Sequence, residues 1–331
     1  MSPITVIGAG VAGLCVATEL AARGAEVRLI DRMHAPGPHA CSWWAGGMLA
    51  PFCEGESAEE PVVRLGQGAA DWWQAQGASV TRRGTMVVTM GRDRAELSRF
   101  ARRTEGAEAI GSDRIAELEP DLQGRCRQAL FFAEEAHLDP RAALSGLIDG
   151  LATKGVTVEQ GDPASTGQIV DCRGLAARDA LADLRGVKGE MLVIRCPDLA
   201  LARPIRLLHP RIPLYIVPRG DGIYMLGATV IEATERSRIT ARSLLEMLSA
   251  AYALHPAFGE AEILETGVDA RPAFRDNLPR IRRRGRVVYA NGLFRHGFLL
   301  GPTLAQQTAD LVLDNKRPEF CDEDHPERGA A

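Results

Sequence analysis

Gly8-Ala9-Gly10-Val11-Ala12-Gly13 decides the fold. The apolar run Ile4 to Ile7 precedes it, and a helix rich in small residues (Ala12, Ala17, Ala21, Ala22) follows from Val11 to Arg23, ended by Gly24. Val27 to Ile30 then reads as a second strand, so the chain opens with one βαβ unit. In this context G-x-G-x-x-G has a physical meaning. Gly8 permits the tight turn, Gly10 lets the backbone approach a pyrophosphate, and Gly13 lets helix and strand pack closely. The helix N-terminus offers unpaired N–H groups and partial positive charge to phosphates. Asp31 ends the second strand about 20 residues on, where a carboxylate binds ribose hydroxyls and disfavours a 2′-phosphate. A glycine-rich turn without a ligand is the alternative, and the strand, the helix and Asp31 all weigh against it. The motif alone does not separate FAD from NAD.

Further along, helices are expected at Gln67 to Gln76, at Asp93 to Arg103, from Ser112 through a capping pattern, from Asp139-Pro140-Arg141 to about Thr153, at Thr240 to Leu254 and at Pro302 to Leu313. Strands are expected at Thr85 to Met90, Arg127 to Phe132, Val156 to Glu159, Gln168 to Cys172, Lys188 to Arg195, Tyr215 to Val217, Gly222 to Gly227 and Arg286 to Ala290. The pieces after Thr153 look like a return to the nucleotide-binding sheet. The later, closely spaced strands suggest an antiparallel sheet. The expected fold class is therefore α/β: a Rossmann-like domain with an interleaved, mostly antiparallel α+β domain. Its boundaries fall at 1–80, 136–185 and 270–315 for the first and 81–135 and 186–269 for the second, with a loose tail at 316–331.

The bulk numbers fit this reading. At 331 residues the chain exceeds the ~250–300 at which single cores stop growing. A net charge of −4 gives no chain-wide attraction to nucleic acid. No apolar run approaches the ~18 residues of a membrane span, and Met1 to Gly13 has no basic leader. Seven cysteines without C-x-x-C spacing argue against a metal knuckle or a disulfide scaffold and fit a reducing cytoplasm.

The next segment, Cys41-Ser42-Trp43-Trp44-Ala45-Gly46-Gly47-Met48-Leu49-Ala50-Pro51, resembles the stretch that runs along the flavin in the D-amino acid oxidase superfamily, and more closely in the glycine oxidases of thiamine biosynthesis. Three more blocks match in order: Leu214 to Arg219 with Leu226 to Thr229, Asp269 to Pro272 with Asp276 to Pro279, and Asn291 to Pro302. The resemblance spans about Ile4 to Leu313. It implies FAD, held non-covalently. Where relatives attach flavin to a histidine this chain has Trp44, and the C-terminal block has no cysteine.

The resemblance also implies roles. Arg271 would form a bidentate pair with the substrate carboxylate, Tyr215 would give it a hydroxyl hydrogen bond, and Arg295 would shape the pocket or hold the cofactor edge. Gly8, Gly10, Gly13, Asp31, Arg32, Ser42, Ala45, Gly46, Gly47, Met48, Gly174, Gly297, Leu299, Leu300 and Thr303 would hold FAD. Gly301, Pro302 and Thr303 would open the last helix, with its positive end toward the flavin. The chain departs from the family pattern at Asp171-Cys172-Arg173-Gly174-Leu175, beside the adenine, and in carrying the bulky Trp43 and Trp44. The implied reaction is oxidation of glycine, or a similarly small amino acid, to its imine, with O2 reduced to H2O2. A sarcosine or D-amino acid enzyme, or one using another electron acceptor, stands as the alternative. Thiazole synthase is an implied partner, there is room for a homo-oligomer, and no metal is expected.

Other features read as structural. Trp72 and Trp73 are expected in the core or at a domain contact. Arg282, Arg283 and Arg284 are expected at a solvated hairpin tip, Glu54 and Glu56 in a loop at a pocket mouth, and His209 and His255 have no partner at ligand spacing. One of Trp43 and Trp44 faces the pocket if the segment is extended, since side chains then alternate. Packing of both against the second domain is the other reading.

Overall fold

A computed structural model describes residues 3–90, 94–161, 167–209 and 213–322. Asp93, the expected start of one helix, lies outside them. Two sheets organise the chain. In the first, Ile4–Ile7 lies at the centre, flanked by Val27–Ile30 and Val158–Glu159 on one side and by Ile169–Asp171 and Val287–Asn291 on the other, all parallel. Arg280–Arg284 adds an antiparallel edge. The helices Val11–Ala22, Pro140–Thr153 and Gly297–Asp314 share a core with this sheet. The chain leaves it after Ile30, returns at Val158 and Ile169, and leaves again until Arg280.

The excursions build the second sheet. Its order is Ile231–Glu232, Arg185–Arg195, Ile223–Gly227, Leu214–Gly220, Ile205–Leu208, Thr85–Thr89, Gln128–Phe132, Glu108–Gly111, with Glu262–Ala273 paired along Arg185–Arg195. Every pairing is antiparallel except that of Ile205–Leu208 with Thr85–Thr89. A three-stranded sheet of Met48–Leu49, Ala136–Leu138 and Val80–Thr81 completes the strands.

Local chemistry explains several boundaries. Gly24, at φ +82°, ends the first helix, with its N–H and that of Ala25 closing on Ala21 and Leu20. Asp139 caps Pro140–Thr153 by accepting from the N–H groups of Arg141 and Ala142. Thr240 does the same for Ala241–Leu254 through Ser243.

Four expectations need correction. Ser112 lies inside its helix and its hydroxyl donates to the Arg127 carbonyl, leaving Gly111 as an N-cap without a side chain. The last helix begins at Gly297, so Pro302 sits inside it. A proline there supplies no N–H to the carbonyl of Phe298, and the buried Trp73 indole N–H takes that place at 2.8 Å. Arg282 and Arg283 lie within the strand Arg280–Arg284 rather than at a solvated tip, while Arg284 is exposed beside the turn at Gly285. Arg282 pairs with Asp183 and Asp322, Arg283 donates to Asn315 and the Leu311 carbonyl, and Arg284 donates to the Ala180 carbonyl. The tail is packed as far as Asp322: Phe320 is buried, and Ile281 bonds to the main chain of Phe320 and Asp322.

Candidate active site

The two main sheets face each other across a cleft of about 1350 Å³. That exceeds the ~300–1,000 Å³ of a pocket for one drug-sized ligand. The glycine motif forms one end. Gly8 has φ +104° and packs so closely on Cys172 that a Cβ would sit 2.7 Å from its carbonyl oxygen. A Cβ on Gly13 would collide with the Gly8 carbonyl. Gly10 is the extended N-cap of Val11–Ala22 and borders the cleft. Nearby, the Ser42 hydroxyl is buried and has no hydrogen-bond partner among the described residues. Asp31 accepts the N–H of Ala9 at 2.6 Å and that of Met33 at 3.0 Å. Its two oxygens keep lone pairs for further donors.

The site residues expected for a dinucleotide fall on this wall with few exceptions. Gly8, Gly10, Asp31, Arg32, Ser42, Ala45, Gly46, Gly47, Met48, Gly174, Gly297 and Leu299 line the cleft, as do Cys172, Arg173, Leu175 and Ala176. Gly13 acts one layer behind, through the turn. Leu300 and Thr303 are not on the wall: Leu300 is in the core, and the Thr303 hydroxyl donates to the Leu65 carbonyl at 2.9 Å. The cause is the earlier helix start, which puts the first turn at Gly297, Phe298 and Leu299 beside the cleft. A bare N–H cradle at Gly10, an orphaned serine hydroxyl, a second helix start at Gly297 and an acidic group at Asp31 fit the phosphates and ribose of a dinucleotide.

The opposite wall is the second sheet. Arg206, Tyr215, Gly227, Met191 and Gly267 are successive cross-strand partners, so they share one face. The Tyr215 ring leans over Gly227 and Gly46, at 3.1 Å and 3.3 Å from where their Cβ atoms would be. Trp44 fills the space that Gly267 leaves and packs with Met191, Met225 and Met48. Trp43 and Trp44 are not in extended chain but in the short helix Cys41–Trp44, and only Trp44 lines the cleft. The Arg141 guanidinium covers both indoles at 4.5 Å and 5.4 Å while forming a bidentate pair with Glu265.

Arg271 lies beside this row. Its guanidinium crosses Gly189, where any Cβ would collide with it, and Nη1 donates to the Thr229 carbonyl at 3.2 Å. The nearby Asp269 is engaged elsewhere, with Arg236 at 2.6 Å. Among the described residues Arg271 has no carboxylate partner, although it faces the cleft.

Glu54 and Arg206 complete the wall. Glu54, expected in a loop at a pocket mouth, lines the cleft but ends the helix Pro51–Glu54, and it reaches Arg295 at 2.6 Å, His296 at 3.0 Å and Arg206 at 3.4 Å. Burial alone would raise its carboxyl, but these partners hold it well below the usual carboxylate range. His296 is itself pushed below its ordinary range by burial. Arg206 is a charge inside the apolar strand Ile205-Arg206-Leu207-Leu208, the one sequence signal that could have marked it. Glu56 pairs with Arg103 away from this cluster.

Comparison with known proteins agrees with this geometry. Residues 3–311 match the family model described as FAD dependent oxidoreductase, DAO. The chain is 54% identical over 324 residues to a Rhizobium etli protein named for thiamine biosynthesis as the oxidoreductase ThiO, covering 96% of this chain and 98% of that one. It is 27% identical over 360 residues to the bifunctional protein ThiO/ThiG of Nostoc, covering 98% of this chain and 55% of that longer protein. The crystal structure of glycine oxidase from Geobacillus kaustophilus superposes with a TM-score of 0.80 at 22% identity, covering 96% and 95% of the two chains. The nucleotide cradle, the facing antiparallel wall and the match over nearly the whole length lead to one conclusion: the chain belongs to the DAO family of FAD-dependent oxidoreductases.

Proposed function

We propose that this enzyme oxidises glycine, or an amino acid of similar size, to its imine, with O2 as electron acceptor and H2O2 as product. The observation that carries the reading is Arg271: a guanidinium without a carboxylate partner among the described residues, set in a cleft whose adjoining wall is Trp44, Met191, Met48 and Tyr215. One cation for a carboxylate and an apolar recess beside it suit a substrate with little or no side chain. The name of the 54% identical relative supports a place in thiamine biosynthesis. The fused ThiO/ThiG chain supports thiazole synthase as the consumer of the imine.

In this reading residues 1–80, 136–185 and 270–315 build the FAD domain and 81–135 and 186–269 the substrate domain, with Arg271, just past that boundary on the second-sheet strand Glu262–Ala273, reaching the amino acid. Bound flavin supplies the two-electron acceptor for the hydride that leaves Cα. Arg271 grips the carboxylate through two N–H donors and Tyr215 adds its hydroxyl. The indole of Trp44 and the methionines exclude water and hold Cα in one orientation. The amine must be neutral for its lone pair to assist hydride loss. No strong base is required, which agrees with Glu54 and Asp269 being committed to arginines. Water then converts the imine to glyoxylate and ammonia. Arg295 borders the cofactor side from the segment before the last helix.

The test is a panel of glycine, sarcosine, D-alanine and larger D-amino acids with peroxide detection in air. Peroxide formed in proportion to glycine or sarcosine supports the reading. Turnover confined to bulky amino acids, or flavin that glycine reduces but O2 does not reoxidise, refutes it.

A further inference from the structure

Three charged groups meet at the cleft from three parts of the chain. Arg206 comes from the second sheet, directly opposite Tyr215. Arg295 comes from the segment that leads into the last helix, on the side of the first sheet. Glu54 stands between them at the end of Pro51–Glu54, with side-chain exposure of 16%. Its Oε2 meets Arg295 and the His296 ring, and its Oε1 meets Arg206. Arg206 also donates to the neighbouring Cys53 carbonyl at 3.3 Å, and Arg295 to the Ser57 hydroxyl at 2.8 Å. Arg206 has an exposure of 11% and no other ion pair among the described residues. Without the carboxylate, two guanidinium groups would face each other in a poorly hydrated place, where like charges repel strongly.

We propose that Glu54 is a positioning residue that joins Arg206 and Arg295 across the cleft, holding the Tyr215-bearing strand and the start of the last helix at a fixed separation around the amino acid. Glu54 itself touches no substrate. The effect reaches the reaction through Tyr215, the cross-strand partner of Arg206, and through Arg295. Glutamine at position 54 keeps the shape and can still accept a hydrogen bond, but it lacks the charge that holds two cations. Aspartate keeps the charge on a shorter stem. The kinetic part of the proposal rests on the glycine reading above, and the structural part does not.

The experiment uses FAD-loaded protein in the wild type, Glu54→Gln and Glu54→Asp. Hydrogen exchange, read without any substrate, is expected to rise in Glu54→Gln in the peptides containing 205–208 and 293–300, with distant strands such as 4–7 unchanged. With glycine, Glu54→Gln is expected to lose about 10- to 100-fold in kcat/KM, mostly through KM. Glu54→Asp should recover to within about fivefold of the wild type, at equal flavin content. Unchanged exchange in Glu54→Gln overturns the proposal whatever the substrate. So does a loss of melting temperature and activity that is equal in both variants, because a merely structural carboxylate gives that pattern. If glycine reduces none of the three proteins, the substrate reading has failed, and the exchange result decides this proposal by itself.

Discussion

At the residue scale the account rests on one cation and one indole. Arg271 reaches across Gly189 into the cleft and, among the described residues, bonds a main-chain carbonyl and no carboxylate. Arg271→Ala should therefore leave FAD bound and cost ~2–4 kcal/mol of transition-state binding, or about 30- to 1,000-fold in kcat/KM. Arg271→Lys should also be poor, because an ammonium cannot reproduce the planar fork. Steady-state kinetics at equal flavin content check both. Trp44 is the second residue. Because Trp44 borders the cleft and Trp43 does not, only Trp44→Ala should widen the range of substrates. A gain on D-alanine or larger D-amino acids is expected in Trp44→Ala. Trp43→Ala should change stability through the lost Arg141 stack and leave preference alone. A shift of preference in Trp43→Ala, or none in Trp44→Ala, contradicts the assignment. The sequence announced both tryptophans but not which one mattered, since it is the turn of Cys41–Trp44 that decides where each indole points.

At the scale of elements, the last helix shows what sequence does and does not reveal. Pro302 reads as a first-turn proline, and that reading puts the helix start five residues late. Nothing local in the chain indicates that Trp73, more than two hundred residues away, supplies the missing donor to Phe298. This contact is testable. Trp73→Phe leaves a buried carbonyl unpaired and should destabilise by about 1–3 kcal/mol. Pro302→Ala restores an N–H at that point, so the double variant should recover much of the melting temperature lost by Trp73→Phe. Additive losses in the two variants would contradict the pairing. By contrast, the opening strand–turn–helix was legible because glycine spacing, Gly24 and Asp31 all act locally. The antiparallel strands Arg185–Arg195, Leu214–Gly220 and Ile223–Gly227 were legible from the turn residues between them, while Glu262–Ala273 and Glu108–Gly111 were not. The site formed by Glu54, Arg206 and Arg295 was not, because it depends on the register of Ile205–Leu208 against Leu214–Gly220 and on two distant loops. Sequence spacing carries no information on such a meeting.

At the scale of the whole molecule, two sheets close on one cleft, the first carrying the dinucleotide cradle and the second Arg271 and Tyr215. The interleaved chain makes each depend on the other, so FAD should stabilise the entire protein by mass action. The flavin should be held without a covalent bond. The one cysteine on the wall outside the glycine end, Cys41, has its thiol pushed up to about 12 by burial, which makes it a poor nucleophile. Acid precipitation should release the yellow colour into the supernatant, and colour retained in the pellet would contradict this. Among the described residues no helix is long and apolar enough to cross a membrane.

The central claim is that the flavin in this cleft takes electrons from glycine. Its most direct measurement is the absorption spectrum of the FAD-loaded enzyme mixed with glycine in the absence of oxygen. The visible band of the oxidised flavin is expected to bleach fully within the time of turnover and to return when air is admitted, with one H2O2 formed for each glycine consumed. A spectrum that glycine leaves oxidised, in a protein that dithionite still reduces, would contradict it.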